Sequence, residues 1–248
     1  MNLDGKVALI TGGRRVGADL ALRLADRGAN VAMTYHTSRR AIESTVAEVA
    51  RRGVRGLAIA ADLSDPAQAE RAVVQVVEGF GRLDVLVNMA SIFKRTPLDS
   101  LTPADFDAMI AANLAAPYHT AIAASRRMLA QPGEDGIRGK IVNVGDWASN
   151  RPYRDHLPYL VAKGGLATFT QALAVELAPH VTVNMVKPAM VDPPPDLSED
   201  ERQAVIDATP LRRCGTPGDV SRLILYLLEG TDFATGGLYP VDGGRALA

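Results

Sequence analysis

VALITGGRRVGADLALRLA (Val7–Ala25) is the stretch that decides the fold. A short apolar, β-branched run passes straight into TGGRRVG (Thr11–Gly17) and then into a helical pattern. A glycine-bearing turn between a first strand and a first helix lets backbone N–H groups and the helix dipole meet a pyrophosphate. Arg14 and Arg15 occupy that turn, either as part of a phosphate site or as solvated residues of a plain tight turn. Working outward, similar short runs recur: NVAMT (Asn30–Thr34), GLAIA (Gly56–Ala60), DVLVN (Asp84–Asn88), KIVNV (Lys140–Val144), VTVNMV (Val181–Val186) and GLYPV (Gly237–Val241). Runs apolar on nearly every residue are buried on both faces, which predicts a parallel sheet covered by helices, a doubly wound α/β fold. The intervening stretches carry helix signals. AIESTVAEVARRG ends at Gly53, and in DPAQAERAVVQVVEGFG Asp65 can cap while Pro66 opens the helix.

The chain has 248 residues, 47% hydrophobic and 22% charged, with a formal net charge of -1. That length suits one domain over residues 1–248 with a sizeable core. The charge balance, without a run of like charges, gives no footprint for nucleic acid or an anionic membrane and leaves a small molecule as the expected partner. Cys214 stands alone, and His36, His119, His156 and His180 lack metal-ligand spacing, so no metal or internal disulfide is expected. No leader-like segment and no apolar run of membrane-spanning length is visible, so the expected location is cytoplasmic. QPGEDGIRG (Gln131–Gly139) and DPPPDLSED (Asp192–Asp200) read as surface loops, and the loop Met190–Leu197, with Pro193, Pro194 and Pro195, is expected over the substrate.

At the end of the second strand a carboxylate would grip the ribose hydroxyls of NAD. MTYHTSRR (Met33–Arg40) offers Ser38, Arg39 and Arg40 instead, and no acid before Glu43. Guanidinium forks suit a phosphate ester, so NADPH is expected over NADH. The other reading of the arginines is a solvated first turn of the next helix. Asp62, after the third strand, is placed either to accept from an adenine amino group or to cap a turn.

VGDWASNRPYRDHLPYLVAK (Val144–Lys163) sets Tyr159 and Lys163 four apart on one helix face. An ammonium there is expected to pull the phenol pKa from about 10 toward neutrality, as a proton donor at pH 7 requires. TGGRRVG, LVNMAS, Asn113 in AANLAAP, KIVNVGDW, YLVAK, VNMVKPAMV and TGGLYPVDGG, in this order, together resemble the short-chain dehydrogenase/reductase family over almost the whole chain. The resemblance implies a seven-stranded Rossmann sheet, a nicotinamide cofactor, Tyr159 as proton donor, Lys163 on the nicotinamide ribose, and Asn113 holding a relay water. It puts the cofactor against Gly12, Arg14, Arg15, Val16, Gly17, Tyr35, His36, Ser38, Arg39, Asp62, Leu63, Asn88, Ala90, Ser91, Pro188 and Met190, with Asn88 and Ala90 as its floor. A homotetramer, with VDGG in its contacts, is also implied.

Three departures narrow the resemblance. The glycine turn carries arginine and is one residue shorter than usual, Met89 and Ser91 replace Asn and Gly, and Asp146 stands thirteen residues before the tyrosine, where a serine is usual. With YHxS and NxASxF (Asn88–Phe93), these resemble the pteridine reductases and dihydropteridine-type reductases. A serine donates to a carbonyl oxygen, whereas an ionised carboxylate only accepts and opposes a developing oxyanion. Asp146 therefore implies either a burial-raised, protonated acid or a substrate that presents N–H groups and is reduced at C=N. A pterin satisfies the second, with Ser91, Phe93, Asp146, Trp147 and Tyr159 around it. Phe93 either stacks the flat ring or packs in the core, and Trp147 either walls the pocket or packs under the loop. The competing expectations are an NADPH-dependent carbonyl or 3-oxoacyl reductase, and a catalytically weak NADPH-binding sensor or scaffold.

Overall fold

The computed structural model describes residues 1–133, 136–149, 151–193 and 197–248. Seven parallel strands, β1 (Val7–Thr11), β2 (Asn30–Tyr35), β3 (Gly56–Ala60), β4 (Val85–Asn88), β5 (Gly139–Val144), β6 (Val181–Pro188) and β7 (Leu238–Val241), form one sheet in the order β3-β2-β1-β4-β5-β6-β7. The chain leaves β1 toward β2 and β3 on one side, and β4 to β7 build the other. The switch between β1 and β4 opens a crevice beyond the carboxyl ends of those strands, where ligands of such sheets bind.

The unbroken apolar runs have their expected cause. In β1, Val7 and Leu9 pack into one layer while Ala8 and Ile10 pack into the other, and all four are buried. The first layer is closed by α3 (Pro66–Phe80), α5 (Ala116–Ala130) and α6 (Leu157–Leu177), through residues such as Val73, Met128 and Leu173. The second is closed by α1 (Val16–Ala25), α2 (Arg39–Arg51) and, beyond the exposed α7 (Glu199–Asp207), α8 (Pro217–Leu225), through Leu24, Ile42 and Ile224. The punctuation reads as expected: the Asp65 side chain accepts from the Ala67 and Gln68 N–H groups, and α3 stops at Gly81 with φ 85°. Gly53, at φ 84°, follows the last turn of α2.

Two local differences matter for the site. Strand β6 runs two residues past the expected Val186, carrying Lys187 and Pro188 to the cleft end of the sheet. Between α4 (Pro103–Ile110) and α5 the helix widens into a single π turn, Ala111–Ala115, which turns Asn113 into the protein interior. Such bulges concentrate at functional positions because the extra residue re-aims one side chain. Pro194 and Pro195 of the loop expected over the substrate lie outside the described residues.

Candidate active site

A cleft of about 780 Å³ runs along the carboxyl ends of β1, β2, β3 and β4. Its floor is the glycine turn. Gly12 and Gly13 hold φ 63° and 83°, a region open to glycine. A Cβ on Gly12 would sit 3.1 Å from the Ala90 Cα, and one on Gly13 would overlap the Met89 side chain. Gly17 serves packing: a Cβ there would meet the Gly12 carbonyl oxygen at 2.9 Å. Helix α1 begins without a side-chain cap, so its first N–H groups remain available at the cleft. A tight backbone floor and a free helix start fit the pyrophosphate of a dinucleotide.

Arg14, Arg15, Val16, Tyr35, His36, Ser38, Asp62, Leu63, Ala90, Ser91 and Pro188 all line this cleft. Thr34 and Thr37, which carried no sequence signal, line it as well, together with Met89, one of the residues that depart from the family pattern. Other expected contacts are placed differently. Asn88 lies beneath the floor, buried, donating to Pro117 O at 3.3 Å and Asn143 Oδ1 at 3.0 Å. Arg39 points along its own helix and pairs with Glu43 at 2.8 Å. Arg15 reaches across to the backbone carbonyl of Asp192. Asp62 accepts from the Ser64 N–H and hydroxyl, which holds its pKa below the usual carboxylate range and realises the turn-capping alternative. Gly17, Asn88, Arg39 and Met190 are not among the residues lining the cleft.

The reacting groups converge where β5 ends and α6 begins. The Tyr159 hydroxyl donates to Asp146 Oδ2 at 2.9 Å, and the Ala148 N–H donates to Asp146 Oδ1 at 2.8 Å. Lys163, buried one turn below Tyr159, donates to Val144 O at 2.9 Å, and its Nζ lies 5.7 Å from the tyrosine ring centroid. Asn113 gives its amide hydrogens to Ile92 O and Met109 O, at 3.0 and 3.1 Å, and its oxygen accepts from the Ser91 hydroxyl at 2.6 Å.

The expected lowering of the Tyr159 pKa is corrected by this geometry. Burial pushes the phenol well above its ordinary value, and the neighbouring Asp146 charge pushes the same way. Lys163 spends its hydrogen bond on a backbone carbonyl rather than on the phenol, and burial lowers its own pKa to about 8. Asp146 is raised by burial, against the Ala148 N–H, the Tyr159 hydroxyl, Lys163 and Lys187. Three titratable groups in one dry corner thus all disfavour their charged forms.

Around them stands an aromatic wall. Phe93 is 61% exposed rather than packed in the core; it stacks on His156 at 4.5 Å and meets Tyr159 edge-on at 5.0 Å. Trp147 stacks on Tyr153 at 6.0 Å, with the Arg245 guanidinium 5.4 Å from its ring centroid. Neither Phe93 nor Trp147 lines the main cleft. Among the described residues no group of His, Cys, Asp and Glu could hold a metal ion, and no helix is long and apolar enough to cross a membrane.

A nucleotide cleft at the switch point with a Tyr and Lys pair at its end defines an oxidoreductase site of the nicotinamide class. The comparisons agree. The family described as enoyl-(acyl carrier protein) reductase matches residues 13–246. The (2S)-[(R)-hydroxy(phenyl)methyl]succinyl-CoA dehydrogenase subunit BbsD of Thauera aromatica is 33% identical, covering 100% of this chain and 99% of its own. The 3-oxoacyl-[acyl-carrier-protein] reductase of Synechocystis is 32% identical, covering 99% and 98%. A solved short-chain dehydrogenase/reductase from Serratia marcescens superposes with a TM-score of 0.90 at 34% identity, covering 99% and 100%. The chain belongs to the short-chain dehydrogenase/reductase family. None of these names mentions a pteridine.

Proposed function

We propose that this protein is an NADPH-dependent reductase of a carbonyl group, with Asp146 working in its acid form. The observation that carries this reading is the 2.9 Å hydrogen bond between Tyr159 and Asp146 in a half-buried corner, where desolvation raises the carboxyl pKa. A protonated carboxyl donates a hydrogen bond as a serine would, so the objection to a carboxylate facing a developing oxyanion falls away. The acyl-substrate names of the relatives support the same choice. NADPH bound in the cleft would supply the hydride. Tyr159 gives its proton to the carbonyl oxygen, Asp146 donates a second bond to that oxygen, and the proton of Asp146 can reload the phenolate across the 2.9 Å bond. Lys163 has donors beyond the one spent on Val144 O to hold a ribose hydroxyl. Ser38, Arg39 and Arg40, with no acid before Glu43, support the 2′-phosphate of NADPH. That use requires Arg39 to leave Glu43, an exposed pair that solvent screening leaves weak.

A second reading, reduction of C=N in a pteridine-like heterocycle, is favoured by one observation. Both oxygens of Asp146 accept hydrogen bonds, as an ionised carboxylate would, beside the exposed ring of Phe93. Steady-state rates for 3-oxoacyl thioesters, cyclic ketones and dihydrobiopterin across pH 5 to 8 separate the readings. In the carbonyl reading, wild-type ketone reduction declines as pH rises through the raised Asp146 pKa, and Asp146→Ser retains ketone activity without that decline. A wild type that reduces dihydrobiopterin and no ketone, and loses this in Asp146→Ser, hands the assignment to the heterocycle.

A further inference from the structure

Residues 89–97, which carry the chain from β4 toward α4, form neither helix nor strand, so no ladder of backbone bonds sets their path. Side chains set it instead. The Asn113 amide donates to Ile92 O at 3.0 Å, and the Lys94 ammonium meets Asp105 Oδ1 at 2.8 Å. The last tie is made by one residue of a different loop. Asp155 accepts from Arg95 Nε and Nη2 on a single carboxylate oxygen, at 2.9 and 2.6 Å, and its backbone carbonyl accepts from the Thr96 N–H at 2.6 Å. Arg95 is exposed and Thr96 is buried, so the backbone bond is the firmer half of this clasp.

Asp155 holds φ 64°, in the left-handed region that most side chains avoid and aspartate tolerates. The residue after it, His156, starts α6. The His156 ring, anchored from behind by Nδ1 donation to Arg154 O at 3.0 Å, lies on Phe93 at 4.5 Å and 15° from parallel. Phe93 in turn stands nearly perpendicular to the Tyr159 ring, 5.0 Å away. Phe93 lies two residues before the gripped Arg95, and His156 directly follows the gripping Asp155, so one residue fixes both rings of the stack relative to each other. We propose that Asp155 is a positioning residue for the reduction: its clasp on Arg95 and Thr96 holds Phe93 between His156 and Tyr159, and so builds the wall against which the substrate lies beside the reacting hydroxyl. Asp155 does not line the cleft and acts only through the ring it holds.

The inference rests on the reductase reading, and two experiments keep the fates of the two apart. The first is steady-state reduction of a cyclic ketone by wild type, Asp155→Ala, Asp155→Asn, Phe93→Leu and the double variant Asp155→Ala/Phe93→Leu, with nucleotide affinity read from NADPH and NADH fluorescence titrations. Asp155→Ala removes the carboxylate and disfavours the left-handed backbone, so kcat/KM should fall about tenfold or more, the scale of a reacting pair misplaced by a fraction of an ångström, with nucleotide affinity unchanged. Asp155→Asn accepts the same φ and offers Arg95 an amide oxygen, and should restore most of the rate. In the Phe93→Leu background, Asp155→Ala should cost nothing further. Additive losses, or a parallel loss of nucleotide affinity, overturn the proposal, because Asp155 would then act on the fold at large. The second experiment needs no turnover. The chain has four histidines, so the His156 ring protons can be assigned by proton NMR of tag-free protein against His156→Gln. The stacked Phe93 ring should shift them upfield, and Phe93→Leu and Asp155→Ala should both release that shift. A His156 signal unmoved in Asp155→Ala overturns the clasp; should that variant not fold, Arg95→Ala takes its place under the same criterion. A wild type inert toward ketones and dihydropterins alike counts against the reductase reading, and the histidine signal still decides the clasp.

Discussion

Strand β5 carries a buried lysine near its start and faces another past its end, and the two are treated in opposite ways. Lys140, 1% exposed, donates to Leu227 O at 3.2 Å and Thr231 O at 2.6 Å, and pairs with Asp232 at 2.5 Å, a carboxylate that also holds the N-terminal ammonium. Three N–H donors meet three acceptors. Lys163, 2% exposed, bonds to the strand's last carbonyl, Val144 O, and its pKa falls to about 8. A buried charge that is fully paired holds structure together, whereas one left with spare donors beside a cleft is kept for a ligand, at a cost to stability.

The largest expected effect follows from exchanging these roles for an apolar side chain of similar length. Lys163→Met should keep the fold and reduce turnover at least about a hundredfold, since it removes the proposed ribose donor and a charge beside Tyr159 and Asp146. Turnover within a few-fold of wild type would show that the spare donors serve no ligand. Lys140→Met should do the reverse. It strands the carbonyls of Leu227 and Thr231 and leaves Asp232 with Met1 alone, so a loss of about 2–4 kcal/mol is expected in urea unfolding, with KM for the nicotinamide cofactor unchanged. Half of Asp232 lies toward solvent, which keeps the figure below that of a fully enclosed pair. An unchanged unfolding midpoint would mean that Lys140 is solvated through Asp232 rather than held by it.

The same contrast explains what could be read without coordinates. The parallel, doubly covered sheet and its first βα turn were legible in the apolar runs and the glycine turn, because burial on both faces and positive φ leave marks on residue type at each position. Asp146 and Tyr159 were legible as a pair because the slot and the helix fall at a known separation. The acidity of Tyr159 was not, since it depends on how much water the corner holds, and four-residue spacing to Lys163 says nothing about where the ammonium points. Lys140 was invisible for a similar reason: its partners, at Leu227, Thr231 and Asp232, come from the other end of the chain and two of them are backbone carbonyls. Arg39 was open in the sequence between a phosphate site and a solvated first helical turn, and a helical i, i+4 acid, Glu43, pairs with it here.

The smallest effect is the most specific to the comparison, because it turns on pH. Lys163 has a folded pKa of about 8 against 10.5 unfolded, so between those values the unfolded chain binds more protons than the native one. Stability contributed by this group therefore rises with pH across that window, and the burial penalty is present in full below about pH 8. At about 1.4 kcal/mol per pH unit the penalty could reach roughly 3 kcal/mol. Removing Lys163 also takes away its attraction for Asp146, which opposes part of the gain. Lys163→Met should thus be more stable than wild type by about 1–2 kcal/mol at pH 7, with the difference shrinking toward pH 10 as the folded wild-type lysine loses its proton. Urea unfolding of the two proteins at pH 7, 8.5 and 10, compared as differences so that all common groups cancel, reads this directly. A difference that grows with pH would mean that the folded Lys163 binds its proton more tightly than the unfolded one, and that this lysine, like Lys140, is held by its partners.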